Sequence, residues 1–408
     1  MKILLLGAGA QGLVIAAELA KSREVSEIKI ADIDLKRAKS VADRLNSGKL
    51  ITQRLDVSNA NEVVKAAKDM DVVINAISIK FNANIMDAAL RNGAYYEDMA
   101  SQYITDNSTF SVDQLRFDAD WKKAECTALI DMGISPGLTD LIAREVTDDL
   151  DRVNRIRVLL FYSIESKEIV SSWAPEIAWE DMSEQPVVFE NGKFKRVPPF
   201  SGEETYVFPE PIGPQTIVWH SHEEAILMPL FIGKGLKHVD FKMGGGFWSN
   251  IPMTATKAIV KLGFTNTKPI EIMGAKIAPR DILYALTPRT PTPEEMEKKI
   301  QTGAISGSSG SILLEIEGEK GGEEVHHTLS VEAPNIFEVQ EKVPGASDLS
   351  YMVGIPTALA AIKLGRGEIG THGVIPPEGL ERNVRRALLT ELADRGIVVH
   401  ERIEKRLA

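Results

Sequence analysis

The sequence contains one cysteine, Cys126, in 408 residues. No internal disulfide can form, which suits a reducing compartment and predicts a cytoplasmic protein. A surplus of basic charge is also missing. Lys and Arg number 47 against 58 Asp and Glu, for a formal net charge of -11, and the two signs are interleaved throughout. Holding nucleic-acid phosphates requires a concentrated basic face, so no nucleic-acid partner is expected. No apolar run reaches the roughly 18–20 residues that a membrane span needs, so no membrane partner is expected either. The apolar opening Ile3-Leu4-Leu5-Leu6 stops at Gly7-Ala8-Gly9. It is too short for the core of a signal peptide and reads as a buried first strand. No repeat recurs at a fixed period. What remains is ordinary for a globular chain, with 44% hydrophobic and 26% charged residues. That supports a sizeable core, and the length suits two domains.

The first 135 residues alternate strand and helix. Apolar runs open at residues 2, 28, 50, 71, 95 and 127, and helical patterns cover 11–20, 35–45, 61–68, 82–91 and 113–125. This alternation predicts an α/β, doubly wound parallel sheet of the Rossmann type. At its first strand-to-helix turn stands Gly7-Ala8-Gly9-Ala10-Gln11-Gly12. In a G-x-G-x-x-G loop the first glycine permits the tight turn. The second lets the backbone approach a pyrophosphate, and the third lets helix and strand pack closely. The helix N-terminus then offers free N–H groups to the phosphates. Asp32 follows Gly12 by twenty residues, at the end of the second strand. A carboxylate there accepts hydrogen bonds from the adenosine ribose and repels a 2′-phosphate, which predicts NAD as the cofactor. Asp32 or Asp34 could equally cap the next helix. Ligands sit at the carboxyl ends of parallel strands. This assigns Asp56 and Val57 to the adenine and Asn75, Ala76 and Ile77 to the nicotinamide ribose.

After Pro136 the pattern changes to short strands and loops, predicting an α+β substrate and dimerisation domain over residues 136–350. Residues 312–317 and 325–331 flank Gly318-Glu319-Lys320-Gly321-Gly322 and read as a hairpin. Residues 303–311, rich in Gly and Ser, read as a mobile loop. Residues 351–408 return to helix.

Several segments carry a family likeness. Asp71 to Phe81 (DVVINAISIKF), Tyr96-Glu97-Asp98, the run Asp131-Met132-Gly133-Ile134-Ser135-Pro136-Gly137-Leu138-Thr139-Asp140, Trp173-Ala174-Pro175-Glu176, Pro199-Phe200-Ser201-Gly202 and Gly373-Val374-Ile375-Pro376-Pro377-Glu378 resemble the saccharopine dehydrogenase family. That family includes glutamate-forming saccharopine dehydrogenases, lysine 6-dehydrogenases and carboxynorspermidine dehydrogenases. The resemblance covers nearly the whole length. It implies an NAD-dependent oxidoreductase acting on a C–N bond of an amino-acid or polyamine-like substrate, with the C-terminal segment packing back on the Rossmann domain. Saccharopine is the first substrate expectation and lysine the second; a non-catalytic NAD-binding protein is the rival from another class. Ser135 departs from the aspartate of fungal saccharopine reductases, Lys80-Phe81 departs from their Pro-Tyr, and Phe81-Asn82 is more similar to lysine 6-dehydrogenases.

Oxidising an amine requires its neutral form, so an ammonium must first lose a proton to a base, and a nearby carboxylate stabilises the cationic imine. Asp98, after the fifth strand, and Asp140, opening the helix after the sixth, are expected to face the cleft. Asp140 could instead cap its helix. Lys80 could pair with a substrate carboxylate or stand in solvent. His220-Ser221-His222-Glu223-Glu224 is a dense His/carboxylate run. A catalytic or substrate-contacting His220 is the stronger functional reading there, beside a structural loop, and no metal is expected. A homodimer is the expected assembly.

Overall fold

The computed structural model describes residues 1–106 and 109–405. Seven parallel strands form the first sheet: β1 (Lys2–Leu6), β2 (Glu27–Asp32), β3 (Leu50–Arg54), β4 (Val72–Asn75), β5 (Tyr95–Asp98), β6 (Thr127–Leu129) and β7 (Gly373–Ile375), in the order β3-β2-β1-β4-β5-β6-β7. The run Ile3-Leu4-Leu5-Leu6 does not alternate with polar residues because both faces are buried. Ile3 and Leu5 join one apolar layer and Leu4 and Leu6 the other. The strand order reverses between β1 and β4, which opens a crevice at their carboxyl ends. Helix α1 (Ala10–Lys21) rises directly from that crevice.

The second sheet has nine strands. At its centre Arg152–Ser166 runs parallel to His238–Gly245 and antiparallel to Ile305–Lys320. Helices α2 (Leu138–Asp148) and α3 (Glu224–Phe231) lie between the two sheets, and their Leu138, Leu141, Ile142 and Met228 share one apolar cluster with strands of both. The central strands are long, 15 and 16 residues, rather than short. The expected hairpin forms, Ile305–Lys320 against Glu323–Glu332, with Gly321 and Gly322 at positive φ in the turn.

Residues 303–311 correct the sequence reading: from Ile305 onward they are strand, with Ser308 opposite Ile164 and Ser309 opposite Ser163. Gly and Ser carry little β-propensity, but a 15-residue neighbour supplies backbone partners, and tertiary pairing overrides composition.

The C-terminal stretch corrects the reading of residues 351–408 as helix alone, because it also adds a strand to each sheet, where neighbouring strands supply the backbone partners. Helix α4 (Asp348–Gly365) packs on α1, and Gly354 allows the close crossing: a Cβ there would stand 2.8 Å from the Val14 side chain. Strand β7 extends the first sheet, and Val398–Lys405 pairs with Glu323–Glu332 at the edge of the second. Between them, helix α5 (Arg382–Ala393) is clamped to α2 by ion pairs from Arg382, Arg385 and Arg386 to Glu145, and from Arg385 to Asp148. No helix among the described residues is long and apolar enough to cross a membrane.

Candidate functional site

The glycine turn divides into two kinds of glycine. Gly7 has φ 109°, and a Cβ there would lie 2.5 Å from the Ala76 carbonyl oxygen; one on Gly12 would overlap the Gly7 carbonyl. Protein packing requires both. A Cβ on Gly9 would meet nothing within 4 Å. Gly9 is also the N-cap of α1, which has no side-chain cap, so the first-turn N–H groups around Ala10 and Gln11 face an open hollow. A backbone kept bare where no protein atom approaches fits a pyrophosphate lying on the helix terminus. Asp32 ties this hollow to the end of β2. Its Oδ2 accepts from Ala8 N at 2.9 Å and its Oδ1 from Asp34 N at 2.8 Å, while Asp34 caps the next helix by accepting from Lys36 N. Asn75 Oδ1 accepts from Ile77 N at 3.1 Å and its Nδ2 donates to Asn82 at 2.7 Å, which fixes the end of β4. Asp56 turns back to accept from the Ser58 amide and hydroxyl.

Beyond β4 the strand ends are acidic and buried. Asp98 Oδ2 accepts from the Tyr96 hydroxyl at 2.7 Å and from Gln114 at 3.1 Å, and its Oδ1 from Asp131 N at 2.9 Å. Burial raises its carboxyl to about 6 against the lowering effect of these donors. Asp131 is held by the Ser101 hydroxyl at 2.7 Å and is pushed well above the usual range by burial and by Glu223.

The second domain docks here through the loop that precedes α3. Glu223 Oε1 accepts from Ser101 N at 3.0 Å. Glu224 accepts from the Ser135 hydroxyl and from the Thr139 hydroxyl at 2.9 Å, and its other oxygen meets His222 Nδ1. Burial alone would depress His222, but Glu224, Glu223 and Asp181 raise it to about 9. It is an imidazolium at neutral pH, stacked on Phe241 with ring centroids 3.9 Å apart. His220, 95% buried and 6.1 Å away centre to centre, is lowered to about 3 by burial and by His222 and stays neutral. No hydrogen bond engages the His220 ring among the described residues. Tyr103 and Asp181 add to this acidic wall, both raised by burial and by neighbouring carboxylates, and the more exposed Glu184 accepts from the Ser221 hydroxyl at 3.3 Å. No Lys or Arg ion-pairs with Asp181, Glu184, Glu223 or Glu224 among the described residues. His222, Glu223 and Glu224 bring one ligand atom each within 4.8 Å of one another, but His222 and Glu224 are engaged with each other.

Two candidates stand apart from this cluster. Lys80 lies on the turn Ile79–Phe81 just after β4. It is exposed, with Nζ 4.9 Å from the centre of the Phe81 ring and no carboxylate partner among the described residues. Asp140 is fully buried rather than open to the cleft: its Oδ2 accepts from Gly137 N at 2.7 Å, capping α2, and its side chain contacts Glu378. Capping claims Asp140 because it is the third residue of the helix, where a carboxylate reaches back to the N-cap amide.

A family model for the NADP-binding domain of saccharopine dehydrogenase matches residues 3–129, and one for its C-terminal domain matches residues 133–397. The chain belongs to the saccharopine dehydrogenase family. Within that family it is 23% identical to carboxyaminopropylagmatine dehydrogenase of Synechocystis over 98% of this chain and 97% of the relative. It is 24% identical to carboxynorspermidine synthase of Vibrio cholerae over 93% and 92%. The fold is that of saccharopine dehydrogenase (L-Glu forming) from Saccharomyces cerevisiae, with TM-score 0.72, 18% identity and 99% of both chains covered. Homospermidine synthase from Legionella pneumophila, solved with NAD, shares it at TM-score 0.64, 13% identity and coverage of 98% and 91%. The chain is thus a dehydrogenase-family member with a nicotinamide-cofactor domain.

The family pattern leaves several of its site residues unmarked in the sequence. Ser101, Asp131, Asp181, Glu223 and Glu224 join the cluster only through folding, from four separate stretches. The signal that pointed toward them was the density of the run from His220 to Glu224. Glu378 carried no such signal, because its partner lies more than two hundred residues away.

Proposed function

We propose that the chain is an NAD-dependent oxidoreductase acting on the C–N bond of an amino-acid-type substrate, saccharopine dehydrogenase-like, between the first sheet's strand ends and the loop from His220 to Glu224. The docking of that loop carries the reading. Glu223 on Ser101, and Glu224 on Ser135 and Thr139, bring a neutral and a cationic imidazole of one domain to the β5 and β6 ends of the other. Gly7 to Gly12 would hold the pyrophosphate, Asp32 the adenosine ribose, and Asn75 to Ile77 the nicotinamide ribose. The Asp32 carboxylate favours NAD by repelling a 2′-phosphate. When bound, the nicotinamide accepts or donates hydride.

The chain's own side chains supply the rest. The free His220 ring accepts a hydrogen bond from the substrate nitrogen and orients it. Glu223, raised above the ordinary carboxylate range by burial, is the group suited to take the ammonium proton. Asp181 and Glu184 favour the cationic imine. Lys80, exposed on the turn after β4, would pair with a substrate carboxylate. The wall's charge also favours an amine-rich carboxylated substrate over carboxylate-rich saccharopine, the kind of compound for which the Synechocystis and Vibrio relatives are named.

The test is NADH formation with saccharopine, lysine, carboxynorspermidine and carboxyaminopropylagmatine, each with NAD and with NADP. Turnover with NAD, faster for the amine-rich pair, is expected. NAD binding without turnover on any of the four would favour a non-catalytic NAD-binding protein, and preference for NADP would overturn the reading of Asp32.

A further inference from the structure

Glu378 and Asp140 form a buried acid pair that no Lys or Arg ion-pairs with among the described residues. Glu378 is 1% exposed, in the short turn Pro377–Gly379 that follows β7, and Asp140 is 0% exposed at the start of α2. Asp140 Oδ1 and both Glu378 oxygens are buried with no hydrogen-bond partner among the described residues, and the two carboxyls are close enough for each to shift the other. Two carboxylates cannot both stay ionised in such contact away from water, so one proton must sit between them. The charged groups around the pair are few. Arg144 of α2 faces Glu378 but is spent on Asp148 at 2.8 Å and on the Phe231 carbonyl; Glu224 of α3 faces both carboxyls, and the buried Asp131 after β6 faces Glu378. From Asp140 the contacts continue toward the cleft. The Thr139 hydroxyl lies 3.3 Å from Asp140 Oδ2 and 2.9 Å from Glu224 Oε1, and Glu224 holds His222.

We propose that Glu378 is a positioning residue of the cleft: it shares one proton with Asp140, and this sealed pair sets the Gly133–Thr139 turn and the charge beneath the Glu224–His222 couple. The inference rests on the cleft being the active site only for its functional meaning; the pair itself is tested without turnover. Burial raises Asp140 well above the ordinary carboxylate range and Glu378 to about 7. A carboxyl whose folded value is raised keeps its proton in the native state while the unfolded chain has lost it. Each therefore withdraws stability as pH rises from the ordinary carboxylate value, near 4.5, through its folded value.

The experiment measures melting temperature from pH 5 to 8.5 for wild type, Glu378→Gln, Asp140→Asn and the double variant, together with NMR titration of the His222 ring. Gln keeps the shape and donates to Asp140 without holding an acid proton. Glu378→Gln should therefore melt progressively higher relative to wild type as pH rises, by roughly 1–3 °C per pH unit. The double variant should show less than the sum of the single shifts. In the double variant the His222 midpoint should move down, because the one negative charge of the pair is gone; a merely structural pair would leave that midpoint in place. If the variant fails to fold, the wild-type His222 signal still reports the pair through a second inflection near neutral pH. A melting difference that does not vary with pH, additive single shifts, or an unmoved His222 midpoint would overturn the proposal. Failure of the substrate panel alone would leave it standing.

Discussion

Gly9 and Gly12 stand three residues apart and are glycine for different reasons. A side chain on Gly12 would strike the protein itself, whereas one on Gly9 would enter open space. Gly9→Val should therefore leave the melting temperature nearly unchanged and abolish NAD binding, read by calorimetric titration. Wild-type affinity in that variant would remove the pyrophosphate from the hollow. His222 gives a second residue-scale prediction. Its folded value, about 9, lies above the ordinary 6.5, raised by Glu224, Glu223 and Asp181 against the opposing effect of burial. Its contribution to stability is complete below pH 6.5 and is lost as pH rises through 9. His222→Gln should cost on the order of 3 kcal/mol at pH 6 and little at pH 9.5 in urea unfolding. An equal loss at both values would show that His222 is held by packing alone.

At the scale of elements, cofactor binding depends on how α1 meets α4. Gly354 lies against Val14, and a Cβ there would already stand 2.8 Å from the Val14 side chain. Gly354→Leu should push α1 off α4, destabilising the fold by roughly 1–3 kcal/mol and weakening NAD, because the displaced helix carries the glycine turn. Undiminished NAD affinity would mean that the turn is positioned by the sheet alone. This crossing was not legible in the sequence, since helix packing between residues 14 and 354 leaves no periodic trace in either segment. The first six strands of the first sheet and their helices were legible, because each apolar run ends in its own turn signal, whereas β7 lies in a stretch that read as helix. Residues 303–311 misled because Gly and Ser describe a loop until a long neighbouring strand pairs with them.

In the whole molecule, the C-terminal stretch adds a strand to each sheet and places Glu378 under Asp140, so the chain closes on the site it opened with Gly7. The nicotinamide-cofactor domain was readable from local order: a strand, three glycines and Asp32. The substrate half was not. Asp140 was placed at the cleft by chain order, yet helix capping and Glu378 turn it inward. Glu223 was hidden because its partner Ser101 lies on the other sheet's side of the cleft. The central claim, hydride transfer at a carbon bearing nitrogen, has a direct test. An amine-rich carboxylated substrate is prepared with deuterium on that carbon and incubated with NAD and the wild-type protein, and the reduced cofactor is weighed by mass spectrometry. A C–N dehydrogenase gives NADH heavier by one mass unit. Reduced cofactor formed without the label, or no reduced cofactor from any substrate of the panel, would contradict it.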